Sequence, residues 1–109
     1  MDAQLKKGIL EICILQLLKD EDLYGYPIMQ EMKRHFPDVN DSTFYAILRR
    51  MNQEGLTRDY TGKEANGPPR KYYHLTAAGK TRLEQGISEW RRICNTMEHM
   101  GISVKGEKS

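Results

Sequence analysis

Between Asn40 and Gly55 the chain reads Asn40-Asp41-Ser42-Thr43-Phe44-Tyr45-Ala46-Ile47-Leu48-Arg49-Arg50-Met51-Asn52-Gln53-Glu54-Gly55. Phe44, Ile47, Leu48 and Met51 fall at i, i+3, i+4 and i+7, a single apolar stripe along one helix. Asn40 suits the N-cap and Gly55 the C-terminal stop. The opposite side carries Ser42, Thr43, Tyr45, Arg49, Arg50 and Gln53. The stretch therefore predicts a helix anchored by one face and presenting a short polar, cationic face.

Working back from it, Leu23-Tyr24-Gly25-Tyr26-Pro27 opens an earlier helix, with Pro27 in the first turn, where its missing N–H costs nothing. Ile28, Met29, Met32 and Phe36 give that helix its apolar side, and Pro37 closes it. The first helix reaches Leu18 and is different. From Ile9 onward its apolar residues, among them Leu10 and Cys13, point in nearly every direction. A helix apolar all round is buried all round, and a domain this small has too few elements to enclose it. A partner subunit is the simplest cover.

Working forward, residues 57–61 and 70–75 are short and rich in Tyr and Thr, and Asn66-Gly67-Pro68-Pro69 lies in the polar stretch between them. Asn-Gly is a strong turn signal and consecutive prolines cannot continue a central strand. The reading is a β-hairpin whose tip carries Lys63, Arg70 and Lys71. Thr76 then caps a last helix from Ala77 to about Gly101. Leu83, Ile87, Trp90, Cys94 and Met97 recur along it at alternating spacings of four and three, a heptad seam widened by Ile93 and Met100.

The expected fold class is thus mostly α (α+β). Residues 1–75 form a winged helix-turn-helix and residues 76–109 a coiled-coil-like dimerisation helix with a short polar tail. The dimer interface is expected at Ile9, Leu10, Cys13, Leu83, Ile87, Trp90, Cys94 and Met97.

Composition excludes more than it asserts. At 109 residues, 39% hydrophobic and net +2, one domain is expected. Residues 1–75 carry eleven Lys or Arg and eleven Asp or Glu. Any affinity for DNA must then come from local placement of cations, not from bulk charge. No apolar run approaches a membrane span and no signal-peptide pattern opens the chain, so a cytoplasmic protein with no membrane partner is expected. Cys13 and Cys94 sit in apolar helical patterns, as buried thiols do. No residues stand at metal-ligand spacing, and there is no nucleophile with its base and no phosphate-cradling glycine loop. Neither enzyme, metal nor cofactor is expected.

Three helices and a hairpin suit double-stranded DNA, the helix over Asn40–Gly55 entering the major groove and the hairpin tip flanking it. A winged-helix module that only binds protein is the rival reading, since the net charge of residues 1–75 permits it. Single residues also divide. Tyr24 and Tyr26 either meet phosphate or pack the corner between the first two helices. Tyr72 and Tyr73 point to opposite faces of their strand, so one faces DNA at most. Lys7 and Gln4 reach the DNA backbone or are simply solvated.

Several motifs carry a resemblance: Lys7-Gly8-Ile9-Leu10-Glu11, Leu23-Tyr24-Gly25-Tyr26-Pro27-Ile28, Ser42 through Met51, Glu54-Gly55-Leu56, and Gly67-Pro68-Pro69-Arg70-Lys71-Tyr72-Tyr73-His74-Leu75-Thr76. From about Leu5 to Trp90 the chain resembles the PadR-type transcriptional regulators. With one helix after the wing, it is similar to the short subfamily that includes multidrug-responsive repressors. The resemblance implies a homodimeric repressor that binds a palindromic operator and is released by a small, often aromatic, effector. Matching positions give Tyr24 and Tyr26 at the second helix, Ser42, Thr43, Tyr45 and Arg49 on the recognition helix, and Arg70 and Lys71 on the wing. The similar multidrug-responsive repressors stack flat drugs on a tryptophan that matches Trp90. An effector site is thereby implied at Trp90 with Gly86, Ile93 and Met97, beside the plainer role of Trp90 as an interface anchor. Asn40-Asp41-Ser42 departs from the family's usual Ser-Pro-Gly. Asp41 suits a helix N-terminus but repels a nearby phosphate.

Overall fold

In a computed structural model that describes residues 3–62 and 67–103, the order of elements is α1 (Ala3–Leu17), β1 (Leu23–Tyr24), α2 (Gly25–His35), α3 (Asp41–Gln53), β2 (Thr57–Gly62), β3 (Arg70–Leu75) and α4 (Ala77–His99). The stripe on α3 is the centre of the core. Phe44, Ile47, Leu48 and Met51 are all buried, against Leu10, Ile14 and Leu15 of α1, Leu18 just past its end, and Ile28, Met29 and Met32 of α2. Gly55 ends the helix with a φ of 78°, open to glycine and strained for other residues. Its N–H donates to Asn52 O (3.2 Å) and the Leu56 N–H to Met51 O (2.9 Å), the paired bonds of a Schellman stop. At the other end, Asn40 occupies the cap position but makes no side-chain cap bond, and its backbone carbonyl accepts from Thr43 N–H instead.

One element departs from the sequence reading. Leu23-Tyr24 does not open α2 but forms β1, paired with Tyr73 and Tyr72 of β3. The sheet order is β1-β3-β2, antiparallel throughout, with Thr57 opposite Leu75 and Gly62 opposite Arg70. Tyr24 is therefore a strand residue at the N-cap of α2, rather than a residue of the helix itself.

The cap of α4 is made as expected, with the Thr76 hydroxyl accepting from Gly79 N–H at 3.1 Å. The same hydroxyl lies 2.7 Å from Gly55 O, so one residue ties the wing, the end of α3 and the start of α4 together. Leu83 joins the core at 3% exposure. At Gly86, α4 lies so close to α1 that an added Cβ would stand 2.7 Å from Ile12 Cγ1. Ile87 still packs on the core, and past it the exposed Trp90 and Ile93 follow on α4, in a molecule whose long axis is 54 Å. Two dimer-interface expectations are corrected here. Leu10 (0% exposed) and Leu83 (3%) are enclosed by their own chain and leave no surface for a partner. Among the described residues, no helix is long and apolar enough to cross a membrane.

Candidate nucleic-acid interface

The outer side of α3 carries exposed Ser42, Tyr45 and Arg49, with Thr43 partly covered. Tyr45 is 47% exposed, and Gly25 at the start of α2 lies beside its ring. Because the opposite stripe is wholly buried, this face cannot turn away without emptying the core. Asp41, the departure at the helix start, stands 3.6 Å from Lys33 Nζ, which offsets part of its negative charge.

Strand alternation sorts the wing into two faces. Lys71, Tyr73 and Leu75 share one side with their partners Thr61, Asp59 and Thr57. Arg70, Tyr72 and His74 share the other. Tyr73 packs on the core. Its phenol is pushed above the ordinary pKa by burial, with Lys71, Asp59, Tyr45 and Arg49 near enough to act on it. Lys71 therefore lies on the side of the sheet that meets Tyr45 and Arg49, where Asp59 holds it at 3.4 Å. On the reverse side, the Arg70 guanidinium sits 4.5 Å from the Tyr24 ring centre. Tyr24 meets Tyr72 edge-on at 5.4 Å, and Tyr72 stacks on Tyr60 at 5.6 Å. Arg70 and Lys71 thus do not converge on one patch, and Tyr24 is taken up by a cation–aromatic stack. Tyr26 is 64% exposed on α2. Lys63 lies outside the described residues.

Two polar hubs escaped the sequence reading. Asp22, in the charged run after α1, accepts a 2.6 Å bond from the Tyr60 hydroxyl and stands 2.8 Å from His74 Nδ1. The Tyr60 bond first, and the His74 contact after it, hold the Asp22 carboxyl below its ordinary pKa. This latch clips β2 and β3 to the turn before β1. Glu11 lies in the middle of α1 at 3% exposure and takes Arg50 of α3 on one oxygen and Arg82 of α4 on the other, each at 2.8 Å. A carboxylate within an apolar helix must find cations when buried. That was the one available signal, though it could not name the partners.

Along α4, Trp90 (47%) and Ile93 (42%) are exposed, with Cys94 and Met97 half-buried, and Met100 (75%) and Ile102 (47%) are exposed just past its end. Trp90, Ile93 and Gly86 line a cleft of about 200 Å³ against Leu5, Ile9 and Ile12 of α1, with Arg82 and Glu89 as its charged wall. Ile87 faces a second groove of about 430 Å³, more apolar, with Cys13, Leu17, Met32 and Phe36. Burial raises the Cys13 thiol pKa, as befits a packing residue.

The model of the transcriptional regulator PadR-like family matches residues 14–85, from the core of α1 into α4. The chain belongs to the PadR-like family of transcriptional regulators. Members of this family are DNA-binding regulators and not enzymes. A solved PadR-like transcriptional regulator of Bacillus cereus is 34% identical with a TM-score of 0.80, over 96% of this chain and 100% of that one. An uncharacterised protein of Lysinibacillus sphaericus is 32% identical over 90 residues, covering 80% of this chain and 83% of that protein. A transcriptional regulator of Mycobacterium tuberculosis is 27% identical over 97% of this PadR-like chain and 92% of its own. The winged-helix fold and the regulator class thus rest on sequence and structure together.

Proposed function

We propose that this PadR-like regulator is a homodimeric repressor whose α3 enters the major groove of a palindromic operator, with residues 1–75 as the DNA-binding part and 76–109 as the dimerisation part. The observation that carries the reading is the outer face of α3. Ser42, Tyr45 and Arg49 are exposed directly opposite a buried stripe, on the side of the molecule where the wing offers Lys71. A helix so anchored presents a fixed set of side chains to base edges, while the wing cation meets the backbone. The dimer is supported by the apolar residues left uncovered on α4 and just past its end, Trp90, Ile93, Met100 and Ile102. A small aromatic effector is the accompanying reading, supported by the exposed Trp90 indole beside the cleft between α1 and α4.

A mobility-shift assay on the DNA preceding the protein's own coding region, at two salt concentrations, tests the reading. A DNA-binding dimer shifts the fragment and weakens steeply with salt. A winged-helix module that binds only protein does neither.

A further inference from the structure

We propose that Arg82 on α4 sets how freely Arg50 of α3 can leave for a DNA phosphate, acting through the buried carboxylate of Glu11. The inference rests on reading the outer side of α3 as the DNA-facing one. Glu11 Oε2 accepts from Arg50 Nη2 and Glu11 Oε1 from Arg82 Nε, both at 2.8 Å, while the Glu11 side chain is only 4% exposed. Both arginines reach it from the surface, their side chains 42% and 41% exposed.

They face different places. Arg50 lines a groove of about 440 Å³ with Lys7, Ser42 and Thr43, at the start of α3. Its second nitrogen, Nη1, stands 3.6 Å from Glu54, a looser and more exposed contact. Arg82 instead lines the α1–α4 cleft beside Gly86 and Trp90.

A buried carboxylate tolerates the loss of one cation far better than the loss of both, because the last departure strands an unpaired charge. With Arg82 seated, Glu11 keeps a countercharge whatever Arg50 does. Arg50 can then exchange one charged hydrogen bond for another on a phosphate. With Arg82 removed or drawn elsewhere, Arg50 is the one cation left on Glu11 among the described residues and is held there. Arg82 is thus a positioning residue. It lines the α1–α4 cleft and not the groove at the start of α3, yet it governs a cation of that groove. Anything that engages Arg82 in the cleft acts on α3 by the same route, with no helix needing to shift.

The test compares the wild-type protein with Arg82→Gln, Arg82→Lys, Arg50→Ala and the Arg82→Gln/Arg50→Ala pair. Each is titrated with a short fluorescein-labelled mixed-sequence duplex by anisotropy at two salt concentrations. In parallel, NMR follows rotation of the Arg50 guanidinium without DNA. Arg82→Gln is expected to weaken DNA binding about five- to tenfold and to flatten the log–log salt dependence by roughly one phosphate contact, about 0.9 in slope. Arg82→Lys restores most of the affinity, and Arg82→Gln costs nothing further once Arg50 is replaced by alanine. Rotation of the Arg50 guanidinium slows in Arg82→Gln. Equal losses from Arg82→Gln with Arg50 present and with Arg50→Ala in place would overturn the proposal, since Arg82 would then act independently of Arg50. Unchanged Arg50 rotation in Arg82→Gln would overturn it as well. If the wild-type protein bound no duplex, the DNA-facing reading of α3 would fail, while the rotation measurement still decides the link through Glu11. Should Arg82→Gln not fold, Arg82→Met keeps the aliphatic stem and takes its place in the same comparison.

Discussion

Replacing Gly86 by alanine sets two opposed effects against each other at the point where α4 crosses α1. Alanine in a helix interior is worth about 1 kcal/mol over glycine. Against that, the new Cβ would stand 2.7 Å from Ile12 Cγ1 and 2.8 Å from Ile12 Cδ1. Cδ1 is the end of the side chain and can swing away. Cγ1 cannot, because the β-branch leaves one favoured χ1 in a helix. Overpacking of this kind costs about 1–3 kcal/mol, so crowding wins and the net loss is about 1 kcal/mol. Ile12 is only half-buried, so Ile12→Ala alone should cost about 1–2 kcal/mol, below the range of a full core residue. With both changes made, the new methyl group on α4 no longer meets the isoleucine side chain and the helix preference of alanine is recovered. The pair should therefore be more stable than the sum of single losses allows, by about 1 kcal/mol or more. Urea denaturation at one fixed protein concentration reads all four proteins, with unchanged m-values marking a stability effect alone. If Gly86→Ala stabilised the protein equally with Ile12 present and with Ile12→Ala in place, the close approach of α1 and α4 would be refuted.

Further expectations concern each face in turn. Arg49→Ala should weaken binding by about 1–3 kcal/mol at one base pair if Arg49 reads guanine, or evenly across sequences if it holds phosphate; competition with base-substituted operators distinguishes these. Ile93→Glu should give a folded monomer by light scattering, because Ile93 is 42% exposed whereas Ile87 also packs on its own core; a dimer that persists would move the seam elsewhere. The Asp22 carboxyl has its pKa lowered by Tyr60 and His74, so its stabilising contribution is complete above the ordinary value of 3.8 and fades as pH falls through the folded value. Asp22→Asn should therefore lower Tm most at neutral pH, with the gap to wild type narrowing in acid; a constant gap would deny the latch its charge. Planar aromatic dyes should quench Trp90 fluorescence saturably, and Trp90→Ala should abolish dye binding while leaving the dimer intact, as gel filtration and dye titration together would report.

What the sequence disclosed follows a physical line. The α3 stripe, the Gly55 stop and the Thr76 cap are local, set within a few residues, and each was readable. Leu23-Tyr24 was not, because a two-residue strand has no periodicity and exists only through Tyr72 and Tyr73, far along the chain. The interface expectations at Leu10 and Leu83 failed for a related reason. Periodicity says that a face is apolar but not whether the chain's own core or a partner covers it. Glu11 and Asp22 gather partners from α3, α4 and the wing, contacts that only the tertiary fold specifies. The adjacent cations Arg70 and Lys71 read as one basic tip, yet strand alternation sends them to opposite faces.

The exposed side of α3 is the surface proposed to meet DNA. Placing a photo-crosslinking phenylalanine analogue at Tyr45, and in a second protein at Tyr60, tests it directly. Both tyrosines are exposed, at 47% and 42%, but Tyr60 stands on the reverse face of the wing, stacked on Tyr72. Irradiated with a duplex carrying the operator, the Tyr45 protein should crosslink to bases within the protected half-sites and the Tyr60 protein should not. Crosslinking from position 60 with none from position 45 would place DNA on the reverse face of the wing instead.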